Sequence, residues 1–140
     1  MIAYFDTSAL VPLVIDEPGS GLARRMWDQA LRIVTIPLLY AEGRAALAQA
    51  QRMGRITPRQ LRAAVEHLDD LYSQIDIVSI DERLVRQAGD LAEAHGLRGY
   101  DAVHLAGALR AADSDFVVVA GDRALLTAAA AVGLAVAMVG

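Results

Sequence analysis

Residues 116–120, Phe-Val-Val-Val-Ala, are apolar at every position. A strand with one face in water alternates apolar and polar side chains. An unbroken apolar run therefore belongs to a strand covered on both faces. Residues 2–5 have the same character, 33–36 read as a short β-branched strand, and segments with helical punctuation lie between such runs. Strands that alternate with helices and are buried on both faces imply a parallel sheet flanked by helices, a three-layer α/β/α architecture.

Turn and cap residues divide the chain further. Strands are expected over 2–5, 33–36, 75–80, 116–120 and 134–139. Helices are expected over 7–13 and 22–31, and from Pro37 to about Met53, where Gly54 ends the helix. Thr57-Pro58-Arg59-Gln60 carries a capping-box pattern for a helix that runs to about Ser73. Asp81 suits the N-cap of a helix that ends at His95-Gly96, with two more helices over 100–112 and 123–131. The helical middle, 37–73, reads as a hairpin between two strands. In such a sheet, ligands bind outside the carboxyl ends of the strands.

A length of 140 residues fits a single domain, 1–140, and 55% hydrophobic residues leave enough apolar mass for its core. No apolar run approaches the roughly 18 residues of a membrane-spanning helix. The N-terminus shows no basic region and no cleavage site, so no signal peptide and a cytoplasmic location are expected. The absence of cysteine excludes disulfides and thiolate metal sites. All 13 basic residues are arginine. Without lysine there is no Schiff base, no phosphate-loop lysine and no aspartyl-phosphate site of the kind that needs one. A net charge of −4 argues against a broad nucleic-acid surface, while a local basic groove remains open.

Four acids stand out. Asp6 follows the first strand and Asp122 follows 116–120, which puts both at one edge of the sheet. Each suits a helix N-cap as well as a ligand role. Glu42 has Leu38, Leu39, Ala45 and Ala46 as its helical neighbours, so it falls on an apolar face. An ionised carboxylate there needs a cation, a proton or an arginine, with Arg44 the nearest candidate. Asp101 opens a helix whose inner face includes Leu105, Ala108 and Leu109. Its place in the first turn also complements the helix dipole. His104, three residues on, is expected beside Asp101 on the helix surface, in a direct or a purely structural role. Hard carboxylate oxygens suit Mg²⁺ or Mn²⁺, and three histidines without cysteine make zinc a poor fit.

The blocks YFDTSAL (4–10), YAEGRAAL (40–47), GYDAVHLAGAL (99–109) and VVVAGDRALLTAA (117–129) resemble the acidic blocks of PIN domains. The likeness is strongest to VapC-type toxin ribonucleases of bacterial toxin–antitoxin pairs, and it covers the whole chain in order. It implies a PIN-like fold and cleavage of RNA phosphodiester bonds that depends on Mg²⁺ or Mn²⁺. By position, Asp6 and Asp101 match the principal metal ligands, Glu42 the helical acid and Asp122 the more variable fourth acid. Thr7 or Ser8 matches a hydroxyl that positions the first acid. The resemblance also implies a cognate antitoxin partner and a homodimer. Gly43 departs from the usual larger apolar residue. Ala120 departs from the usual hydroxyl two residues before the fourth acid.

Arg44 and Arg98 are candidate RNA phosphate contacts, although most arginines of the helical middle suit a solvated face. A catalytically silent PIN-like scaffold that binds RNA or protein is the rival reading, and the intact set of acids counts against it. A phosphatase with an aspartate nucleophile would want a second aspartate two residues after Asp6 and a lysine. Ser8 holds the first position, and lysine is absent.

Overall fold

Five strands form one parallel sheet: β1 (Ile2–Phe5), β2 (Arg32–Thr35), β3 (Asp76–Ile77), β4 (Phe116–Ala120) and β5 (Ala135–Met138). This is a computed structural model, and it describes residues 1–140. Seven helices connect the strands: α1 (Thr7–Val14), α2 (Ser20–Gln29), α3 (Leu38–Arg52), α4 (Pro58–Tyr72), α5 (Glu82–His95), α6 (Gly99–Ala111) and α7 (Arg123–Ala131). The strand order is β3-β2-β1-β4-β5, and every pairing is parallel.

Successive residues of a strand point to opposite faces, and both faces here are apolar. Ala3, Phe5, Ile33, Val117 and Val119 pack against Leu10, Leu39, Leu47 and Leu68 from α1, α3 and α4. Tyr4, Val34, Phe116 and Val118 pack on the other side against Leu105, Ala108, Leu125 and Leu126 from α6 and α7. A smaller cluster, Leu84, Ala88, Ala102 and Ala106, joins α5 to α6. The expected three layers are present, and the expected helical hairpin is α3 and α4, closed by the Thr57–Gln60 capping box. No helix is long and apolar enough to cross a membrane.

The main departure is β3. A strand over 75–80 was expected, but only Asp76–Ile77 pairs. Its one neighbour, β2, ends at Thr35, and the chain then turns at Ile36-Pro37, so no further ladder is offered. Val78 makes one last bond, to the Thr35 carbonyl, at 2.8 Å. The helix expected over 22–31 starts and ends two residues earlier, at Ser20 and Gln29.

From β1 the sheet grows to β2 on one side and to β4 on the other. The crevice at the carboxyl ends of β1 and β4 is thus the place where the strand order reverses, and there a ligand can enter between the connections.

Two helical glycines have opposite surroundings. A Cβ at Gly107 of α6 would lie 2.4 Å from Cγ2 of Ile36 and 3.2 Å from the Tyr4 hydroxyl. At Gly89 of α5 it would meet nothing within 4 Å. Gly107→Ala is expected to lose about 1–3 kcal/mol of unfolding free energy through overpacking. Gly89→Ala is expected to gain about 0.5–1 kcal/mol as a helix-interior replacement. Urea titration of both variants checks the opposite signs.

Candidate active site

Asp6 is the first residue beyond β1. Its backbone N–H continues the ladder to the Val119 carbonyl at 3.0 Å. Its side chain caps α1, with Oδ2 accepting from the Ser8 N–H at 3.2 Å and from the Ser8 hydroxyl at 2.5 Å. The cap reading and the site reading hold together, because the carboxylate has two oxygens. Oδ1 remains, 3.4 Å from His104 Nε2. The residue is buried, at 5% exposure.

Asp122 follows β4 and caps α7, with Oδ1 accepting from the Leu125 N–H at 3.2 Å. Its loop is tied to α1 by the Gly121 N–H, which donates to Ser8 Oγ at 2.8 Å. A Cβ at Gly121 would stand 3.0 Å from the Val139 carbonyl, so glycine permits this close approach. Ser8 thus spans the first and fourth acids. It supplies a hydroxyl on the loop of Asp122 where Ala120 brings none.

Glu42 is half-buried on α3. Its partner is not Arg44. Oε1 accepts from Thr7 Oγ1 at 2.8 Å and lies 2.6 Å from His104 Nε2. Arg44 instead points outward, where it donates to the Tyr40 hydroxyl at 3.1 Å and lies over the Tyr40 ring. It does not line the pocket of the acids. Thr7 and Ser8 divide the supporting role: Ser8 holds Asp6, and Thr7 holds Glu42. The space above Gly43 is filled by Leu68 of α4, whose Cδ2 would lie 3.3 Å from a Cβ there.

His104 lies one helical step from Asp101, as expected, and both charges interact. Its ring is turned into the molecule and not out to solvent, at 1% exposure. Its helix packs against the sheet through Leu105 and Ala108, beside Tyr4 and Val34, and its ring reaches Glu42 and Asp6. Tyr4, read from sequence only as a strand residue, bonds the other ring nitrogen, Nδ1, at 2.8 Å.

Asp101, in the first turn of α6, pairs through Oδ2 with Arg98 Nε at 3.3 Å. The same guanidinium stands 4.0 Å from Asp122 Oδ2. Arg98 is 84% exposed, so this pair is a weak, movable contact.

All four acids line one open pocket of about 680 Å³, whose other walls include Val11, Ile15 and Met53. Each of three acids commits one oxygen to the scaffold: Asp6 Oδ2, Glu42 Oε1 and Asp122 Oδ1. Their second oxygens take no hydrogen bond, and Asp101 is restrained only by Arg98. As placed, no three of these side chains converge on one point closely enough to hold an ion. Asp101 is turned toward Arg98 and Glu42 toward His104. The donor set still fits a hard divalent cation, being all carboxylate oxygen with free lone pairs.

The electrostatics bear on the same point. Burial and the neighbouring Asp122 charge push the Asp101 carboxyl above its ordinary value, against the bond from Arg98. Burial alone would raise Glu42, but the bonds from His104 and Thr7 outweigh it and hold that carboxyl low. Burial opposes charge on His104, and the bond to Glu42 and the charges of Asp6, Glu42 and Asp101 raise its pKa nonetheless.

A parallel sheet with acids gathered at the carboxyl ends of its central strands defines a class of small acid-centred α/β domains. The chain belongs to the PIN domain family, whose model matches residues 3–131. It is 43% identical over 136 residues to ribonuclease VapC49 of Mycobacterium tuberculosis, a match covering 97% of this chain and 94% of that protein. Among solved structures, it resembles M. tuberculosis VapC20, a toxin that cleaves the sarcin-ricin loop. That match has a TM-score of 0.68 at 20% identity and covers 94% of this chain and 95% of the other. VapBC2 of Rickettsia felis, solved with a fragment of its promoter DNA, matches at a TM-score of 0.65 and 15% identity over 100% of both chains.

Burial of Asp101 and the repulsion from its neighbouring acids have a measurable sign. The Asp101 pKa is raised in the fold, so its ionised form opposes folding above the carboxylate range, and the penalty fades as pH falls through the raised value. Asp101→Asn removes that charge at nearly constant volume. The variant is expected to melt higher than the wild-type chain at pH 7 in EDTA, with the gap narrowing toward pH 4. Thermal melts followed by circular dichroism across that range check it.

Proposed function

We propose that this chain is the toxin of a bacterial toxin–antitoxin pair, an endoribonuclease that hydrolyses RNA with Mg²⁺ or Mn²⁺ held by Asp6, Glu42, Asp101 and Asp122. The observation that carries the reading is the convergence of these acids, from four different elements, on one pocket at the switch point of the sheet. The likeness to named ribonucleases over nearly the whole chain supports the substrate class.

Divalent cations in such a site stabilise charge on the phosphate and generate a nucleophilic water at neutral pH. The chain's own residues supply the rest. β1 and the cap of α1 keep Asp6 rigid. Thr7 and His104 fix one oxygen of Glu42. Arg98, exposed at the mouth, can leave the acids for an RNA phosphate, and its planar fork suits that role. Tyr100, 66% exposed beside Asp101, offers a ring on which an unpaired base can stack, which favours single-stranded or looped RNA.

An acid-lined pocket with an apolar wall suits a cognate antitoxin segment that is apolar and basic. A homodimer and a cytoplasmic location complete the reading. A silent scaffold would keep the fold and the partner but cut nothing.

Purified protein is expected to cleave RNA with Mg²⁺ or Mn²⁺ and to stop in EDTA. Asp6→Asn is expected to lose more than about 100-fold, since loss of a mere outer-shell partner already costs up to about that much. One buried histidine bonded to a carboxylate is a poor substitute for the paired acid and base of metal-free ribonucleases. The ends are therefore expected to be 5′-phosphate and 3′-hydroxyl, which accept direct ligation. Cyclic 2′,3′-phosphate ends, or undiminished cleavage in excess chelator, would contradict the reading.

A further inference from the structure

Tyr4 lies in the middle of β1 with 0% exposure, and its hydroxyl is delivered to the back of the site rather than to the pocket. Three observations show that this hydroxyl is placed and not merely tolerated. It bonds His104 Nδ1 at 2.8 Å, with the two rings edge to face at 83°. It passes beside Gly107, where a Cβ would stand only 3.2 Å from it. No buried side-chain polar atom in the molecule lacks a partner, so the chain Tyr4–His104–Glu42–Thr7 is closed at every step.

The order of donors in that chain follows from its end. An ionised carboxylate only accepts, so the nitrogen facing Glu42, Nε2, must carry a proton. In a neutral imidazole the other nitrogen, Nδ1, is then an acceptor, and the phenol is the donor that it faces. A phenol donating to Nδ1 reinforces this tautomer against the opposite one, in which a bare Nε2 would confront Glu42 Oε1 at 2.6 Å. Packing holds the ring as well, through the T-shaped contact with Tyr4. A metal-ligating histidine is oriented in the same manner by the partner of its second nitrogen. Here the oriented histidine acts one step further out, on a carboxylate.

We propose that Tyr4 is a positioning residue of the active site: through His104 it fixes the tautomer and ring orientation that clamp Glu42 Oε1, which leaves Oε2 free of hydrogen bonds for a divalent cation. Tyr4 does not line the pocket and makes no hydrogen bond to Glu42, so its hydrogen-bonded link to that carboxylate runs through the imidazole. The role rests on the metal-dependent reading above.

Tyr4→Phe removes one oxygen and keeps the ring in the core. It is expected to lower Mn²⁺ affinity, measured by electron paramagnetic resonance of the free ion, by roughly 10-fold, the low end of the range typical of outer-shell partners. On RNA, kcat is expected to fall by about 10-fold with KM unchanged, because no substrate contact is removed. His104→Ala is expected to match or exceed both losses. His104→Gln, whose amide N–H can still reach Glu42, is expected to recover most of the Mn²⁺ affinity.

In the His104→Gln background, Tyr4→Phe is expected to change affinity by less than about 2-fold, since two residues acting through one contact are not additive. Circular dichroism melts of each variant separate these effects from loss of fold. A wild-type chain that binds Mn²⁺ and cuts RNA, beside a folded Tyr4→Phe chain equal to it in both, would overturn the positioning role alone. Equal Mn²⁺ losses from Tyr4→Phe with and without His104 would also overturn it. Should Tyr4→Phe not fold, wild-type affinity in a folded His104→Ala chain would overturn it instead. A wild-type chain that does neither would overturn the metal reading and this role with it.

Discussion

The bond from the Asp6 N–H to the Val119 carbonyl, 3.0 Å long, closes the ladder between β1 and β4, and the site depends on it. It ties the residue just past the central strand to its neighbour while both strands are still in register, with Phe5 beside Val119. Both are buried from both faces, so a slip of one residue would exchange the two cores. That constraint places Asp6 and, three residues past Val119, Asp122 on the same edge, with the Ser8 hydroxyl tied to both segments. The helical acids are then brought in by packing: α3 through Leu39 and Leu47, and α6 through Leu105 and Ala108.

A cluster of carboxylates in such a pocket resists folding unless its charge is answered. Two side chains answer it in different ways. His104 is buried and bonded on both nitrogens, a fixed part of the frame. Arg98 is exposed and reaches Asp101 and Asp122 from the rim at 3.3 and 4.0 Å. The first gives geometry to Glu42 and the second leaves Asp101 adjustable. In the proposed function that difference has a purpose, because an arginine at the rim can give way to a metal ion while a buried imidazole holds its carboxylate in place.

Much of this is legible in the sequence where local rules decide the outcome. The strands at 2–5 and 116–120 and the helix at 123–131 end where expected, because an all-apolar run followed by an aspartate cap leaves no other reading. Asp6 and Asp122 are legible for the same reason. The strand at 75–80 is not, because its length is set by where β2 stops and not by its own residues. The partner of Glu42 is also hidden, since His104 lies 62 residues away and helical spacing points to Arg44 first. Tyr4 reads as one more apolar strand residue, and only the tertiary contact with α6 shows that its hydroxyl has a task. Gly107, within an alanine-rich helix, carries no sign in sequence of the ring it makes room for.

The most direct measurement is diffraction at the manganese absorption edge from crystals grown with Mn²⁺. The expected result is an anomalous peak within ligating distance, roughly 2.0–2.3 Å, of oxygens from Asp6 and Asp101. Glu42 is expected to remain bonded to His104, and Arg98 to be turned away from Asp101. Bound manganese found only elsewhere on the surface, with Arg98 still seated on Asp101 in saturating metal, would contradict the account.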